Sequence, residues 1–347
     1  MIILFVILLL VATYGMRFSS FHKDYMSLSS TNAIKGIFAV IILYSHMSGY
    51  LVLSDTYGDR NYVAVLKYIG QMMVAPYLFY SGYGLMESVK TKPDYKKSFL
   101  RKRVLKILIH FDLAVVLYII TQGLLGHFFS VYVYLTSLIG WSSVGNSNWF
   151  IFDILILYIC FYIALWYVNK RKDTSILVGR AIFLVCLILC VLLWYFLYKV
   201  KGNSWWIDTI FTFPLGIAYS VYKKRIDNLM KNNSTYCLAF FLLFVMIVVW
   251  HYFWGVDKVG ICTCLFSIGL VLVSMKVKLD NKILQWLGIN AFAIYILQRL
   301  PMIVLSNYGI NQQTVLFVLL TIPMVLILAH CYTKFLGMLD KKYIILN

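Results

Sequence analysis

Long uninterrupted runs of apolar residues constrain this 347-residue chain more than any other feature. The runs are about 17 to 25 residues long, the length of helix that crosses a hydrocarbon core roughly 30 Å thick. Only helices and closed barrels satisfy their own backbone hydrogen bonds in lipid, and barrel strands would alternate apolar and polar residues, which these runs do not. Charged residues make up 13% of the chain, about half the usual share of a soluble domain. The sequence therefore predicts an all-α, polytopic membrane helix bundle.

The apolar runs predict about eleven transmembrane helices. They are placed near residues 2–15, 32–53, 62–86, 104–125, 149–169, 181–199, 206–222, 236–254, 259–275, 283–305 and 314–337. No long linker, repeat or low-complexity tract interrupts them, so residues 1–347 are expected to form a single membrane domain. The first 15 residues have neither the positively charged start nor the clear cleavage site of a signal peptide, and we interpret them as a retained span.

Lys and Arg are distributed unequally between the two sides of the predicted bundle. Of the 31 basic residues, 22 fall in alternate loops beginning with 16–31, four fall in the other loops and five fall within spans. This bias places the basic loops in the cytoplasm, the N-terminus outside and the C-terminus inside. The net charge of +18 is then explained by topology and by contact with anionic membrane lipids, and nucleic-acid binding is not expected.

All seven cysteines lie within predicted spans. Cysteines in such positions behave as small buried hydrophobic residues. Cys262 and Cys264 form a C-x-C pair without a matching second pair, which is not the spacing of a zinc site. We expect neither disulfides nor a metal site.

Polar and ionisable residues within spans are the first candidates for function, because charges are costly in lipid. The second span carries Lys35 at its cytoplasmic end and His46 eleven residues later, roughly 16 Å further along a helix. Lys35 is either an anchor whose ammonium reaches the interface or a ligand-binding group. His46 lies too deep for such a route, so it is either a hydrogen-bonded packing residue or a functional group.

A second polar set is predicted at the depth of His46, in the outer half of the bundle. Gln298 and Arg299 lie in the span 283–305, and Asn148, Trp149 and Asp153 lie at the start of the fifth span. One interpretation pairs Asp153 with Arg299 as a structural ion pair. The other is a polar pocket lined by His46, Asn148, Trp149, Gln298 and Arg299.

A third cluster lies at the cytoplasmic side. Arg101, Arg103 and Lys106 lead into the fourth span, and the segment SGYGL, which begins at Ser81, ends the third. Several cations near a glycine-containing helix end are typical of a site for a phosphorylated ligand. The alternative is that these charges only set the topology, which fits Lys106 least because it lies inside the span.

The outer segment 126–148 contains no Lys or Arg and is rich in Tyr, Ser, Gly and Trp. Its middle, VYVYLTSLIGW at 131–141, is apolar but too short to span, and we expect a re-entrant or interfacial element. The aromatic residues either stack on sugars or form an ordinary aromatic belt at the membrane interface.

With these residues identified, the chain resembles the acyltransferase 3 family of bacterial integral-membrane acyltransferases over about residues 31–337. The matching motifs are KGIFAVIILYSH at 35–46, FYSGYGL at 79–85, FLRKRVLK at 99–106, NWFIFDILILY at 148–158 and LGINAFAIYILQRLP at 287–301. Four positions depart from the family pattern. Lys35 and Lys106 stand where Arg is usual, Gln298 stands where many members have His, and Asp153 stands where larger members often carry Glu.

The resemblance implies a ten-helix acyltransferase core in the cytoplasmic (inner) membrane, with residues 1–30 adding an N-terminal span and a cytoplasmic linker. It implies transfer of an acyl group, most simply acetyl, from cytosolic acyl-CoA to a hydroxyl of a cell-surface glycan or lipid-linked sugar, without a permanently bound cofactor. By analogy His46 is the catalytic base. The donor would be held by Lys35, Ser81, Arg101, Arg103 and Lys106. The acceptor and oxyanion would be held by Asn148, Trp149, Gln298 and Arg299. The acceptor's identity and the oligomeric state are left open.

Two other functions fit a basic, many-spanning chain. A transporter or flippase of lipid-linked glycans would also place His, Asp and Arg in the membrane, but it would usually show inverted repeats and paired broken helices, and no convincing repeat is found. A polysaccharide polymerase or ligase would usually carry a larger outer loop rich in Arg, whereas the longest outer loop here has none.

Overall fold

The computed structural model describes residues 1–51, 59–92, 94–168, 176–202, 204–254 and 259–344. The helices are α1 (Ile2–Thr13), α2 (Leu28–Ser48), α3 (Asp59–Ile69), α4 (Ala75–Thr91), α5 (Lys106–Leu124), α6 (Val131–Ser137), α7 (Trp149–Val168), α8 (Ile176–Val200), α9 (Thr212–Met230), α10 (Asn233–Trp254), α11 (Val259–Lys276), α12 (Lys282–Ile289), α13 (Ala291–Leu297), α14 (Arg299–Asn307) and α15 (Thr314–Leu339). Single helical turns lie at Gly70–Met73, Tyr95–Ser98, Ser204–Trp206 and Ile310–Gln312, and π-helical turns at Leu100–Leu105 and Asp340–Ile344. The predicted all-α helix bundle is confirmed.

Six of the described helices are long and apolar enough to cross a membrane: α2, α5 with the π-helical turn before it, α7, α8, α10 and α15. Two further spans are possible as bent pairs, α3 with α4 and α12 with α13–α14, each bent by 57°. The chain is therefore a multi-pass membrane protein with six to eight such spans by length and composition. Helices α1, α9 and α11 coincide with three more of the predicted spans, and the total of eleven stays a prediction.

Two pairs of helices pack at unusually short distance through glycine. A Cβ atom at Gly36 of α2 would lie 2.1 Å from the carbonyl oxygen of Leu284, and one at Gly288 of α12 would lie 1.9 Å from that of Asn32. Gly82 of α4 and Gly216 of α9 meet the facing backbone at 2.1 and 2.0 Å in the same way. Because no side chain separates these backbones, α2 packs closely against α12, and α4 packs closely against α9.

The N-terminal linker is attached to the bundle rather than extending from it. Strands β1 (Met16–Phe18) and β2 (Val277–Leu279) pair antiparallel, with Met16 opposite Leu279. Tyr25 follows and is 1% exposed, and its hydroxyl donates to the Asp227 carboxylate at 2.5 Å. The linker thus covers the end of the bundle at which α4, α9 and α11 finish and α5 begins. We call this end the basic end.

Candidate active site

A cavity of about 230 Å³ lies between α2, α4, α7 and the bent pair α12–α13. We call it the α2 cavity. Its lining residues on α2 are Lys35, Ala39 and Ile42, a spacing of four and three that places them on one helix face, with His46 next on that face. Its other lining residues are Val74, Tyr77, Ser81, Ile107, Phe150, Ile154, Tyr158, Gly288, Ile289, Ala291, Phe292 and Tyr295. The cavity therefore follows α2 from Lys35 towards His46.

Lys35 lines the basic end of the α2 cavity. Its ammonium lies 5.8 Å from the centroid of the Tyr80 ring, and among the described residues it has no hydrogen-bond or ion-pair partner. The Tyr77 hydroxyl donates to the Lys35 carbonyl oxygen at 2.6 Å, which links α4 to α2 at this level. Ser81 and Tyr158 line the same cavity, and the Tyr158 hydroxyl donates to Ser81 Oγ at 3.3 Å. An unpaired cation and hydroxyls at a cavity wall form a site for an anionic or strongly polar group.

The basic motif before α5 enters the bundle as a π-helical turn, Leu100–Leu105, a distortion frequent at functional sites. Phe99 holds it, because this fully buried ring packs 6.2 Å from Tyr158 and 5.8 Å from Tyr162. Arg103 Nε donates to the Tyr95 hydroxyl at 3.0 Å, and the Tyr95 ring packs on Phe99 at 5.6 Å. Arg101 has no side-chain partner within the described part of the chain. Arg103 therefore lies close to residues that line the cavity, and neither arginine has a carboxylate partner among the described residues.

Lys106 is placed differently from the other predicted donor-binding cations. Its ammonium forms an ion pair with Asp340 at 2.5 Å, and the second Asp340 oxygen lies 2.9 Å from His110 Nε2. Tyr332 completes the connection by donating to the His110 carbonyl oxygen at 2.5 Å. The sequence did not indicate this network, which joins α5 to the end of α15 across more than 200 residues. Lys106 is thereby neutralised within the protein.

His46 and Arg299 are in direct contact at the other end of the cavity. Arg299 Nη2 lies 2.9 Å and Nε 3.3 Å from His46 Nδ1. The His46 ring lies 6.5 Å from that of Tyr295, which packs on Phe150 at 5.5 Å. Since Tyr295 and Phe150 both line the α2 cavity, the His46–Arg299 pair lies directly beyond its wall.

The contact with Arg299 defines the protonation of His46. A guanidinium offers only donors, so Nδ1 must be the acceptor, and we assign the neutral imidazole with its proton on Nε2. Among the described residues Arg299 has no carboxylate partner. A guanidinium in a membrane bundle without an anion is costly, so this cation is available to stabilise negative charge in the site.

Asp153 does not form the ion pair with Arg299 that one interpretation of the sequence expected. Asp153 is fully buried, and neither of its carboxyl oxygens has a hydrogen-bond partner in the described structure. Gln298 is also fully buried. Its amide donates to the Tyr295 carbonyl oxygen at 3.2 Å, and its own oxygen is unpaired. The alternative, a polar pocket lined by His46, Asn148, Trp149, Gln298 and Arg299, stays a prediction, because none of these five residues lines the α2 cavity.

Asn148 and Trp149 have structural contacts at the start of α7. The Asn148 amide donates to the Gly140 carbonyl oxygen at 2.8 Å, which connects the segment 126–148 to the helix. Trp149 packs edge-to-face on Phe150, with ring centroids 6.0 Å apart. Within this segment, α6 is a single short helix, and the Trp141 ring is covered by the Lys201 ammonium at 3.6 Å. Trp141 is thus occupied by an intramolecular cation rather than open for stacking on a sugar.

Sequence reasoning missed the tyrosines of the site. Tyr77, Tyr158 and Tyr295 line the α2 cavity, and the hydroxyl of Tyr295 is buried without a hydrogen-bond partner among the described residues. The chain contains 27 tyrosines, most of them in apolar runs. These three could therefore not be distinguished from the others by sequence. The one useful signal was the position of Tyr295, which lies one helical turn before Arg299 and so on the same face of the predicted helix.

The same part of the chain matches a known protein family. Residues 28–333 match the family model of the acyltransferase domain. No curated protein and no solved structure matches the chain.

Proposed function

Because the chain belongs to the acyltransferase 3 family, we propose that it transfers an acetyl group from cytosolic acetyl-CoA to a hydroxyl of a cell-surface glycan or lipid-linked sugar. The observation that carries this proposal is the α2 cavity, which runs from the unpaired cation Lys35 to the wall behind which His46 and Arg299 meet. A cation at one end suits the phosphates of the donor, and an imidazole at the other end suits proton transfer from the acceptor.

The donor end is built from Lys35, Arg101 and Arg103, with Ser81 on the cavity wall. These three cations contact the phosphates of CoA, while the thioester arm enters the largely apolar cavity. Lys106 does not contact the phosphates, because its ammonium is already ion-paired with Asp340. The basic end then faces the cytoplasm, in agreement with the bias of Lys and Arg.

At the other end His46 acts as general base. When the thioester carbonyl reaches the pair, Arg299 turns from His46 Nδ1 towards the carbonyl oxygen, and Nδ1 becomes free to accept a proton. The acceptor hydroxyl gives its proton to Nδ1 as its oxygen attacks the carbonyl carbon. The tetrahedral intermediate then expels the CoA sulfur, which takes the proton back from the imidazolium. The guanidinium stabilises the oxyanion of that intermediate.

The acceptor is bound on the far side of His46. Buried polar atoms without a hydrogen-bond partner among the described residues gather in this half of the bundle, including the Tyr118 hydroxyl, the Asn146 amide nitrogen and the Gln298 amide oxygen. Buried groups of this kind require partners. A sugar, which carries several hydroxyls that both donate and accept, supplies them.

The test is mass spectrometry of surface glycans from cells that carry the protein, its His46→Ala variant or no copy. The wild type is expected to add one acetyl group, and His46→Ala is expected to remove that mass difference while expression and membrane insertion stay normal. His330→Ala is the matched control, because His330 packs on the Trp286 ring at 5.6 Å and does not line the cavity. Acetylation that persists in His46→Ala would exclude His46 as the base, and an unchanged glycan mass in all strains would exclude the activity.

A further inference from the structure

A second cavity, of about 460 Å³, lies at the basic end between the N-terminal linker, α4 and α9. Five lysines line it: Lys23, Lys90, Lys223, Lys224 and Lys231. We call it the lysine pocket. Its acidic lining residues are Glu87 and Asp227, so positive charge exceeds negative charge by three.

Both carboxylates are already engaged within the protein. Glu87 Oε1 accepts from Lys90 Nζ at 2.8 Å and from Ser220 Oγ at 2.6 Å. Asp227 accepts from Lys223 at 2.5 Å on one oxygen and from Tyr25 at 2.5 Å on the other. Neither carboxylate is therefore free to neutralise the other lysines.

Three ammonium groups remain for a ligand. Among the described residues Lys23 and Lys224 have no hydrogen-bond or ion-pair partner. Lys231 makes a long contact of 3.4 Å to Asn228 Oδ1 and lies 5.9 Å from the centroid of the Phe21 ring, and it has no ion-pair partner. All three side chains are exposed. Like charges around one cavity repel each other, and an anion placed among them relieves that repulsion.

The pocket has a fixed frame. Lys23 lies two residues before the buried Tyr25, and on the linker the His22 backbone N–H donates to the Met275 carbonyl oxygen at 2.7 Å. Asp24 is held by Lys278 at 2.5 Å. On the other side the close approach of Gly82 and Gly216 fixes α4 against α9. The lysines are therefore carried by backbone whose position does not depend on the ligand.

The lysine pocket is separate from the α2 cavity. Ser81 of the α2 cavity and Lys90 of the lysine pocket are nine residues apart on α4, which is two and a half helical turns. They therefore lie on opposite faces of the helix, and none of the residues that line one cavity lines the other.

We propose that the lysine pocket binds a phosphate group through Lys23, Lys224 and Lys231. Ammonium groups bind phosphate through charge-assisted hydrogen bonds, and basic pockets between membrane helices receive lipid head groups. The phosphate belongs either to the head group of an acidic phospholipid or to a soluble phosphorylated compound. The inference does not depend on acyl transfer.

The experiment measures binding to the full-length protein purified in detergent, by native mass spectrometry. One arm titrates phosphatidylglycerol, and the other titrates adenosine 3′,5′-bisphosphate. The pocket variant is Lys224→Gln/Lys231→Gln. The control variant is Arg225→Gln/Lys341→Gln, which loses the same charge at exposed positions outside the pocket. Thermal unfolding of both variants shows that they remain folded.

We expect the pocket variant to weaken binding of at least one probe about tenfold or more, because two charge-assisted contacts are lost, and the control to change it less than about twofold. Loss confined to phosphatidylglycerol assigns the lipid head group, and loss confined to the bisphosphate assigns a soluble ligand. If the pocket variant binds both probes as the wild type does, or the control variant loses as much as the pocket variant, the proposal is wrong.

Discussion

The two ends of the α2 cavity differ in how their cations are paired. At the basic end Lys35 and Arg101 have no side-chain hydrogen bond or ion pair in the described residues, and the nearby Arg103 donates only to a tyrosine hydroxyl. At the other end Arg299 donates to a neutral imidazole. Among the described residues, none of Lys35, Arg101, Arg103 and Arg299 has a carboxylate partner, which is unusual in a membrane. This difference agrees with the two roles proposed for these cations: those of the basic end bind a ligand that is already anionic, and Arg299 stabilises charge that develops during the reaction.

Lys106 shows what a structural cation looks like in the same bundle. Both oxygens of Asp340 are used, one by Lys106 and one by His110, and the carboxylate is largely buried. Lys35 and Lys106 stand at equivalent departures from the family pattern, yet only Lys35 faces the cavity unpaired. Their partners, not their residue type, separate a ligand-binding from a structural role.

The largest effect is expected at Arg299. Arg299→Met should lower kcat about 10²–10³-fold, since a single oxyanion donor contributes that much, while the KM for acetyl-CoA stays unchanged. Steady-state kinetics with the purified protein checks this. Arg299→Lys keeps the charge but loses the planar, two-pronged donor geometry of the guanidinium, so its kcat should lie between those of the wild type and Arg299→Met. A normal kcat in Arg299→Met would contradict the role proposed for Arg299.

A smaller effect is expected at the basic end. Lys35→Met should raise the KM for acetyl-CoA about tenfold, the loss of one charge-assisted contact, with kcat changed much less. Lys106→Met is the matched control, and its KM should move far less, because that ammonium is bound to Asp340. Equal changes in the two variants would show that general positive charge, not the cavity cation, attracts the donor.

The smallest effect is expected from the structural network. Asp340→Asn should lower the free energy of unfolding by about 1 kcal/mol, since the partly exposed Lys106 keeps water as an alternative partner. The apparent Tm, measured by thermal unfolding in detergent, should fall by a few degrees, with the acetyl-CoA KM unchanged. A raised KM for acetyl-CoA with an unchanged Tm would contradict this prediction and would show that Asp340 acts in donor binding.

The sequence alone predicted what depends on local spacing. The helical run from Lys35 to His46 follows directly from its apolar pattern, and the eleven-residue separation gave the depth of the histidine. The position of Arg101 and Arg103 just before a helix was likewise predicted from neighbouring residues. The family match over residues 28–333 agrees with the resemblance drawn from these motifs.

What depends on tertiary contact could not be predicted. The span 283–305 was predicted as one helix, but it is bent by 57° between Ile289 and Ala291, where α12 packs on α2 through Gly288. The Lys106–Asp340 pair joins residues 234 positions apart. One interpretation of the sequence paired Asp153 with Arg299 because both residues lie at the same depth. Depth alone does not specify which face of a helix a side chain occupies.

We propose that the thioester arm of the donor extends through the α2 cavity from the basic end to His46. Ala39, which lines the cavity between Lys35 and Ile42, allows the most direct test. In nanodiscs, binding of radiolabelled CoA should weaken progressively through Ala39→Val, Ala39→Leu and Ala39→Phe, by more than about tenfold for Phe, as the side chain fills the cavity. Val40→Phe, on a neighbouring face of α2, should bind as the wild type does. CoA binding that is unchanged in Ala39→Phe, with the protein folded, would contradict the account.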